Sequence, residues 1–137
     1  MDQRLNTTTD ILTLSEARSR LVRVRPIVER IMRYAKEAGE LRADLVGDAP
    51  EEIAAENVAK LDRLRSLRRQ FDHDVRKLNR YGAVLKDAEA GLIDFYGWRG
   101  EDVVFLCWRH GEDDILHWHG MHEGFAGRQG IDPTDFV

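Results

Sequence analysis

A chain of 137 residues with 42% apolar content suffices for one globular domain with an adequate core. Its single cysteine, Cys107, excludes an internal disulfide, and its longest apolar run, Val103 to Trp108, is too short to cross a bilayer. With no basic-then-apolar leader at the N-terminus and a pI of about 5.7, a cytoplasmic protein that is not a dedicated nucleic-acid binder is expected.

Charge is uneven along the chain. Residues 1–82 hold 17 basic against 14 acidic side chains, and residues 83–137 hold 4 against 11, so a cation would be drawn to the second part. The whole reads as a single domain over 1–137, with a mobile lead-in over 1–12, a helical hairpin over 13–82, an antiparallel sheet over 83–120 and a glycine-rich loop and tail over 121–137.

Thr13-Leu14-Ser15-Glu16 has the form of a capping box, in which the threonine hydroxyl and the glutamate carboxylate each accept from the other residue's backbone amide. A helix is expected to start there. Leu14, Ala17, Leu21, Val24, Val28, Ile31, Ala35 and Ala38 follow at alternating spacings of three and four, the seam of a helix lying along another helix, as in a coiled coil. Pro26 interrupts the ladder without breaking this register, so a kink near residues 22–25 is expected instead of an end, and Gly47 is placed to stop the helix. Asp48-Ala49-Pro50-Glu51-Glu52 then announces a second helix. Its inner face is read as Ala54, Val58, Leu61, Leu64, Leu67, Phe71, Val75 and Leu78, with Gly82 ending it. A short connection makes the two helices antiparallel neighbours.

Length now matters. Helices of roughly 30 residues are about 45 Å long, whereas a strand of about 7 residues covers about 23 Å. A sheet therefore shields about half of the hairpin. Yet the first helix carries a second stripe, Val24, Ile27, Ile31, Tyr34, Ala38, Leu41 and Leu45, which either widens the intramolecular seam or meets a second copy or a helical partner. On the second helix Arg63, Arg65, Arg68, Arg69, Arg76, Lys77 and Arg80 could touch phosphates, but Asp62, Asp72 and Asp74 interrupt them, and a solvated face laced with ion pairs is the better reading.

After Gly82 the apolar period falls to two, and segments 83–86, 91–96, 103–109 and 115–119 read as strands joined by short polar turns at 97–102 and 110–114. The fold class is therefore α+β, a long antiparallel helical hairpin followed by a three- to four-stranded antiparallel β-meander packed on it. Alternation puts Ile93, Phe95, Val104, Leu106, Trp108, Leu116 and Trp118 against the helices, and the three tryptophans are read as core. Leu92, Asp94, Tyr96, Val103, Phe105, Cys107, Arg109, Ile115, His117 and His119 fall on the reverse.

That reverse face is the candidate site. His117-x-His119 sets two imidazoles on one side of a strand at about 6.5–7 Å, a span that could close around one metal. His122, Asp94 or Glu123 could complete it, and zinc or a similar divalent ion suits such ligands. Solvated histidines are the bland alternative. Cys107 is more simply a small buried hydrophobe than a nucleophile. The loop Gly124-Phe125-Ala126-Gly127-Arg128-Gln129-Gly130 matches neither the P-loop nor the dinucleotide fingerprint, and reads as a turn held by Phe125 in the core.

Leu85-Lys86-Asp87, Gly91-Leu92-Ile93-Asp94-Phe95, Leu106-Cys107-Trp108-Arg109, Gly111-Glu112, Trp118-His119 and Glu123-Gly124-Phe125-Ala126-Gly127-Arg128 together resemble the uncharacterised bacterial family known as domain of unknown function 2203. Thr13-x-x-Glu16-Ala17 and Arg25-Pro26 extend the resemblance over nearly the whole chain. It implies no particular activity. It gives weight to Asp87, Asp94, Trp108, Arg109, Glu112, His119, Glu123, Gly124, Phe125, Gly127 and Arg128, while His117 and His122 fall between the matching positions.

Two functions follow as expectations. The favoured one is a non-catalytic interaction or oligomerisation module, because the hairpin accounts for most of the chain and no catalytic motif is complete. The alternative is a metal- or anion-binding enzyme with its site around His119: Glu123 and Arg109 assisting catalysis, Arg109, Glu112, Arg128 and Asp94 holding a ligand, and His117, His119 and His122 holding a metal.

Overall fold

A computed structural model describes residues 10–46 and 55–137. Two helices, α1 (Leu14–Val46) and α2 (Ala55–Arg80), precede five strands: β1 (Ala83–Asp87), β2 (Leu92–Arg99), β3 (Asp102–Arg109), β4 (His117–His119) and β5 (Gln129–Gly130). The strands form one antiparallel sheet in chain order, so the meander is as expected, with the glycine-rich loop adding a fifth strand. Among the described residues no helix is long and apolar enough to cross a membrane.

The capping box forms as read, with the Thr13 amide donating to Glu16 Oε1 at 2.9 Å and the Glu16 amide donating to Thr13 Oγ1 at 3.1 Å. Pro26 lies inside α1, which continues past it. Gly47, Asp48, Pro50 and the other turn residues read between the helices lie outside the described residues, as does residues 1–9 of the lead-in. The end of that lead-in is part of the core: Leu12 is buried and pairs in parallel with Gly97 on the edge of β2 that β1 does not reach.

The core cluster takes Leu14, Leu21, Val24, Val28 and Ile31 from α1, Leu78 from α2, and Ile93, Phe95, Leu106 and Trp108 from the sheet. It stops at Ile31 on α1, with Phe71 and Val75 of α2 packed at its margin. Beyond that line the helices lie mainly on each other, with Ala38 and Leu67 buried between them and the turn at Ala88 alongside. The length argument explains why. At 33 residues α1 is about 50 Å long, and an eight-residue strand is about 26 Å. Interhelical ion pairs hold the hairpin together, Arg30 bidentate to buried Asp74 at 3.0 Å and Arg63 bidentate to Glu37 at 2.7 and 2.9 Å. Burial works to raise the Asp74 carboxyl, but the hydrogen bonds and charge of Arg30 outweigh it and hold the group below its ordinary value. Arg63 with Glu37, Arg65 with Asp62 and Arg68 with Asp72 make much of the basic face an ion-pair lattice.

Four expectations are corrected. Val58 and Leu61, read as inner positions of the second helix, are 48% and 39% exposed, because they lie on the part of α2 that no sheet covers. Residues 97–99, read as loop, extend β2, which turns to β3 through Gly100-Glu101 alone. The cause is packing, since a Cβ on Gly97 would lie 2.5 Å from Leu106 Cδ1, and the missing side chain lets Leu106 settle against the strand. Gly97→Ala should accordingly cost about 1–3 kcal/mol, read as a lowered urea midpoint at unchanged slope.

The inward residue before β4 is Ile115, fully buried, while Leu116 is 46% exposed, the reverse of the alternation read at these two positions, although His117, Trp118 and His119 keep the phase expected. Arginines of α1 impose this phase. Arg18 donates to the Ile115 carbonyl at 3.2 and 2.8 Å and Arg25 donates to the Asp113 carbonyl, drawing the bend at 113–115 onto the helix. Finally, Trp108 is core and Trp118 half-buried, but Trp98, on the reverse face near the hairpin turn, is 39% exposed.

Candidate functional site

Strand register gathers the reverse face. Asp94 on β2 is the direct partner of Cys107 on β3, which is the direct partner of His117 on β4, and His119 lies two residues further along the same face, opposite Phe105. A face expected to be open is closed over its middle. Asp94, Phe105, Cys107 and His119 are all buried, and Arg128 reaches back from the C-terminal loop to within 3.8 Å of Cys107 Sγ.

At the centre His119 Nε2 stands 3.0 Å from Asp94 Oδ2, and its Nδ1 stands 3.0 Å from the Gly120 carbonyl oxygen. A carbonyl can only accept, so Nδ1 carries a hydrogen. One further proton is then shared between Nε2 and Oδ2, and the pair is neutral as a unit. Burial pushes the Asp94 carboxyl above its ordinary value against the pull of His119, the Cys107 thiol and Lys86. Asp94 Oδ1 is buried and has no hydrogen-bond partner. Burial, with the Asp94 charge beside it, pushes the Cys107 thiol up to about 12 in spite of Arg128. Such a thiol stays protonated at neutral pH, which rules against Cys107 as a free nucleophile.

Around this centre lies a second layer that is spent on structure. Arg128 is bidentate to Glu112, Nη1 to Oε1 at 3.0 Å and Nη2 to Oε2 at 2.7 Å, and Glu112 Oε1 also accepts from the Arg109 amide at 2.7 Å. Burial works against the Glu112 charge, but Arg128 and the Arg109 amide win, so the carboxyl lies below its ordinary value. Phe125, expected in the core, is instead 39% exposed and stacked with cations: the Arg128 and Arg109 guanidiniums stand 4.2 and 5.7 Å from its ring centre. Glu123 closes the loop on itself, accepting from the Gly120 amide at 3.0 Å. Its carboxylate fills the space that side chains at Gly120 and Gly127 would need, their Cβ positions lying 2.7 and 2.9 Å from its oxygens. The spacing of these glycines around Glu123 is therefore a loop clasp, with no phosphate cradle required to explain it.

The expected ligands separate accordingly. Of the three histidines assigned to a metal, His119 is at the centre, His117 Nδ1 turns to Glu112 Oε2 at 3.3 Å, and His122 is exposed. Among the described residues, the group of histidine, cysteine and carboxylate atoms that converges is Asp94, Cys107 and His119, all within 4.8 Å of one another. The anion-holding set gains no support from this geometry, since Arg128 is already occupied by Glu112 and Asp94 points at His119. Cys107 is the member the sequence reading set aside, although strand alternation already placed it beside Asp94.

A two-helix hairpin capped by an antiparallel meander, with a buried histidine, aspartate and cysteine on the far face of the sheet and a salt-bridged loop closing over them, defines the class of protein. Comparisons with curated proteins and with solved structures gave no match. The chain belongs to the family described as an uncharacterized conserved protein (DUF2203), whose model matches residues 10–131. That span runs from the segment holding Leu12 through β5, so it takes in both the hairpin and the closed face.

Proposed function

We propose that this protein is an interaction module without catalytic activity of its own, and that its hairpin pairs with a second copy of the chain to form a homodimer. The observation that carries the reading is an exposed apolar row on the part of the hairpin the sheet does not reach, beside an open groove that the turn between β1 and β2 borders at Ala88. Val58, Leu61 and Leu64 follow one another at i, i+3 spacing on α2, the first two exposed. Leu64 also lines a groove of about 280 Å³ between the helices with Tyr34, Ala38, Leu67 and Phe71, flanked by Arg42 and Arg68.

Ridge and groove on the same hairpin make a self-complementary surface. Under a two-fold axis each copy's Val58-Leu61 row enters the other's groove, and the same patch is used twice. A coiled-coil-like association of this kind needs no cofactor and leaves the sheet face free.

Light scattering on the full chain at micromolar concentration should give twice the protomer mass of 15.8 kDa. The double variant Val58→Glu/Leu61→Glu should give the protomer mass with unchanged helical circular dichroism, since both side chains are largely outside the core. A wild-type protein that scatters as a monomer sinks the reading.

A further inference from the structure

We propose that Asp94, Cys107 and His119 form a closed binding site for a single divalent transition-metal ion of the zinc class. The site is independent of the hairpin contact and uses a different set of ligands from the three histidines that the sequence suggested. Its three ligand atoms come from adjacent strands and already lie within 4.8 Å of one another. Around a tetrahedral ion with bonds of about 2.0–2.3 Å, ligand atoms stand about 3.3–3.8 Å apart. Side-chain rotations of a fraction of an ångström to about one ångström at Cys107 and Asp94 close the difference without moving the strands.

Three details point to an ion. First, His119 Nδ1 is engaged by the Gly120 carbonyl at 3.0 Å, which fixes the ring and presents Nε2, the arrangement by which metal-ligating histidines are oriented. Second, Asp94 is 2% exposed and its Oδ1 accepts no well-formed hydrogen bond, the donor that faces the carboxylate being the weak thiol of Cys107, itself one of the three ligands. Third, the charges balance. A divalent ion would displace two protons, the one on the Cys107 thiol and the one shared by Asp94 and His119, leaving a thiolate, a carboxylate, a neutral imidazole and no net charge in a buried place.

Arg128 completes the surroundings. Its Nη1 stands 3.8 Å from Cys107 Sγ while Glu112 holds the same guanidinium, so the arginine donates toward a thiolate without competing for the ion's ligands. The donor set sorts the metal. One thiolate, one imidazole and one carboxylate favour zinc, cobalt or ferrous iron over magnesium or calcium, which prefer all-oxygen shells.

Cobalt(II) titration of the full chain, purified without a histidine tag, tests this. Wild type should bind one equivalent with release of two protons, a thiolate-to-cobalt charge-transfer band in the near ultraviolet and visible ligand-field bands, and zinc should then displace the cobalt and abolish the bands with no further proton release. Cys107→Ser, close in shape to the native side chain, should lose the charge-transfer band, and its affinity should fall on the order of a hundredfold or more. His117→Ala/His122→Ala should leave the spectrum unchanged. The proposal is overturned if wild type shows no saturable cobalt or zinc binding, or if binding persists in Cys107→Ser and disappears in His117→Ala/His122→Ala. Circular dichroism of Cys107→Ser checks that the loss is not one of folding. If that variant is misfolded, the charge-transfer band and two-proton release in wild type decide the question on their own.

Discussion

Asp94→Ala should lower the unfolding free energy by about 3–5 kcal/mol, the usual consequence of removing one partner from a buried charged or proton-sharing pair. Asp94→Asn should cost only about 1 kcal/mol. The two differ because of what His119 needs. Its Nδ1 hydrogen already goes to the Gly120 carbonyl, so Nε2 faces Asp94 at 3.0 Å as a buried ring nitrogen that water cannot reach. Alanine leaves that nitrogen without a partner and opens a void between β2 and β4. Asparagine fills the space, and its amide N–H can donate to Nε2 in place of the shared proton. Urea unfolding at neutral pH in the presence of a chelator, which removes any contribution from bound metal, gives the comparison. Equal losses in the two variants would mean that the carboxylate charge itself is required, and that the pair is an imidazolium with a carboxylate instead of a neutral hydrogen-bonded unit.

How much of this was legible in the sequence depends on what kind of force sets each feature. The hairpin was readable because apolar spacing and a capping box are local, and Leu14, Leu21, Val28 and Leu78 are buried as their register required. Even the uncovered end followed from comparing a helix length with a strand length. Features set by distant partners were misread. Residues 97–99 look like a polar loop until Leu12 is seen to pair with Gly97 and Leu106 to pack on it. The inversion at Ile115 and Leu116 depends on Arg18 and Arg25, some 90 residues away along the chain.

The site divides in the same way. Alternation placed Asp94, Cys107, His117 and His119 on one face, which is a local inference. It could not show that the centre of that face is sealed, because the seal is made by Arg128 on Glu112 and by Glu123 folding the loop back on itself. Once sealed, the histidines are no longer equivalent. His119 becomes a buried partner of Asp94, while His117 faces Glu112 and His122 faces solvent. The residues that the family resemblance emphasised thus divide into a buried centre, Asp94 and His119, and a closure, Glu112, Glu123 and Arg128.

That closure should be the first part of the protein to fail in acid. Glu112 has a carboxyl held below its ordinary value of 4.5 by Arg128 and the Arg109 amide, in opposition to burial. A group whose folded value is depressed contributes stability that is fully present above its unfolded value and is lost as pH falls through its folded one. Wild type should therefore lose stability below about pH 4.5, and Glu112→Gln should show a shallower loss over the same range. At neutral pH the substitution should cost about 1.5–3 kcal/mol, the range for a hydrogen bond to a charged group, since both side chains are less than a fifth exposed. Glu112→Leu/Arg128→Met should recover much of what either single change loses, because apolar replacement of both partners leaves no unpaired charge beside Cys107. Urea midpoints from pH 7 to pH 3 for wild type, Glu112→Gln, Glu112→Leu, Arg128→Met and the double variant give both the pH slope and the coupling. A Glu112→Gln curve parallel to wild type throughout that range would show that the loop is held by Phe125 and Glu123 and that the Glu112 to Arg128 pair is incidental to the closure.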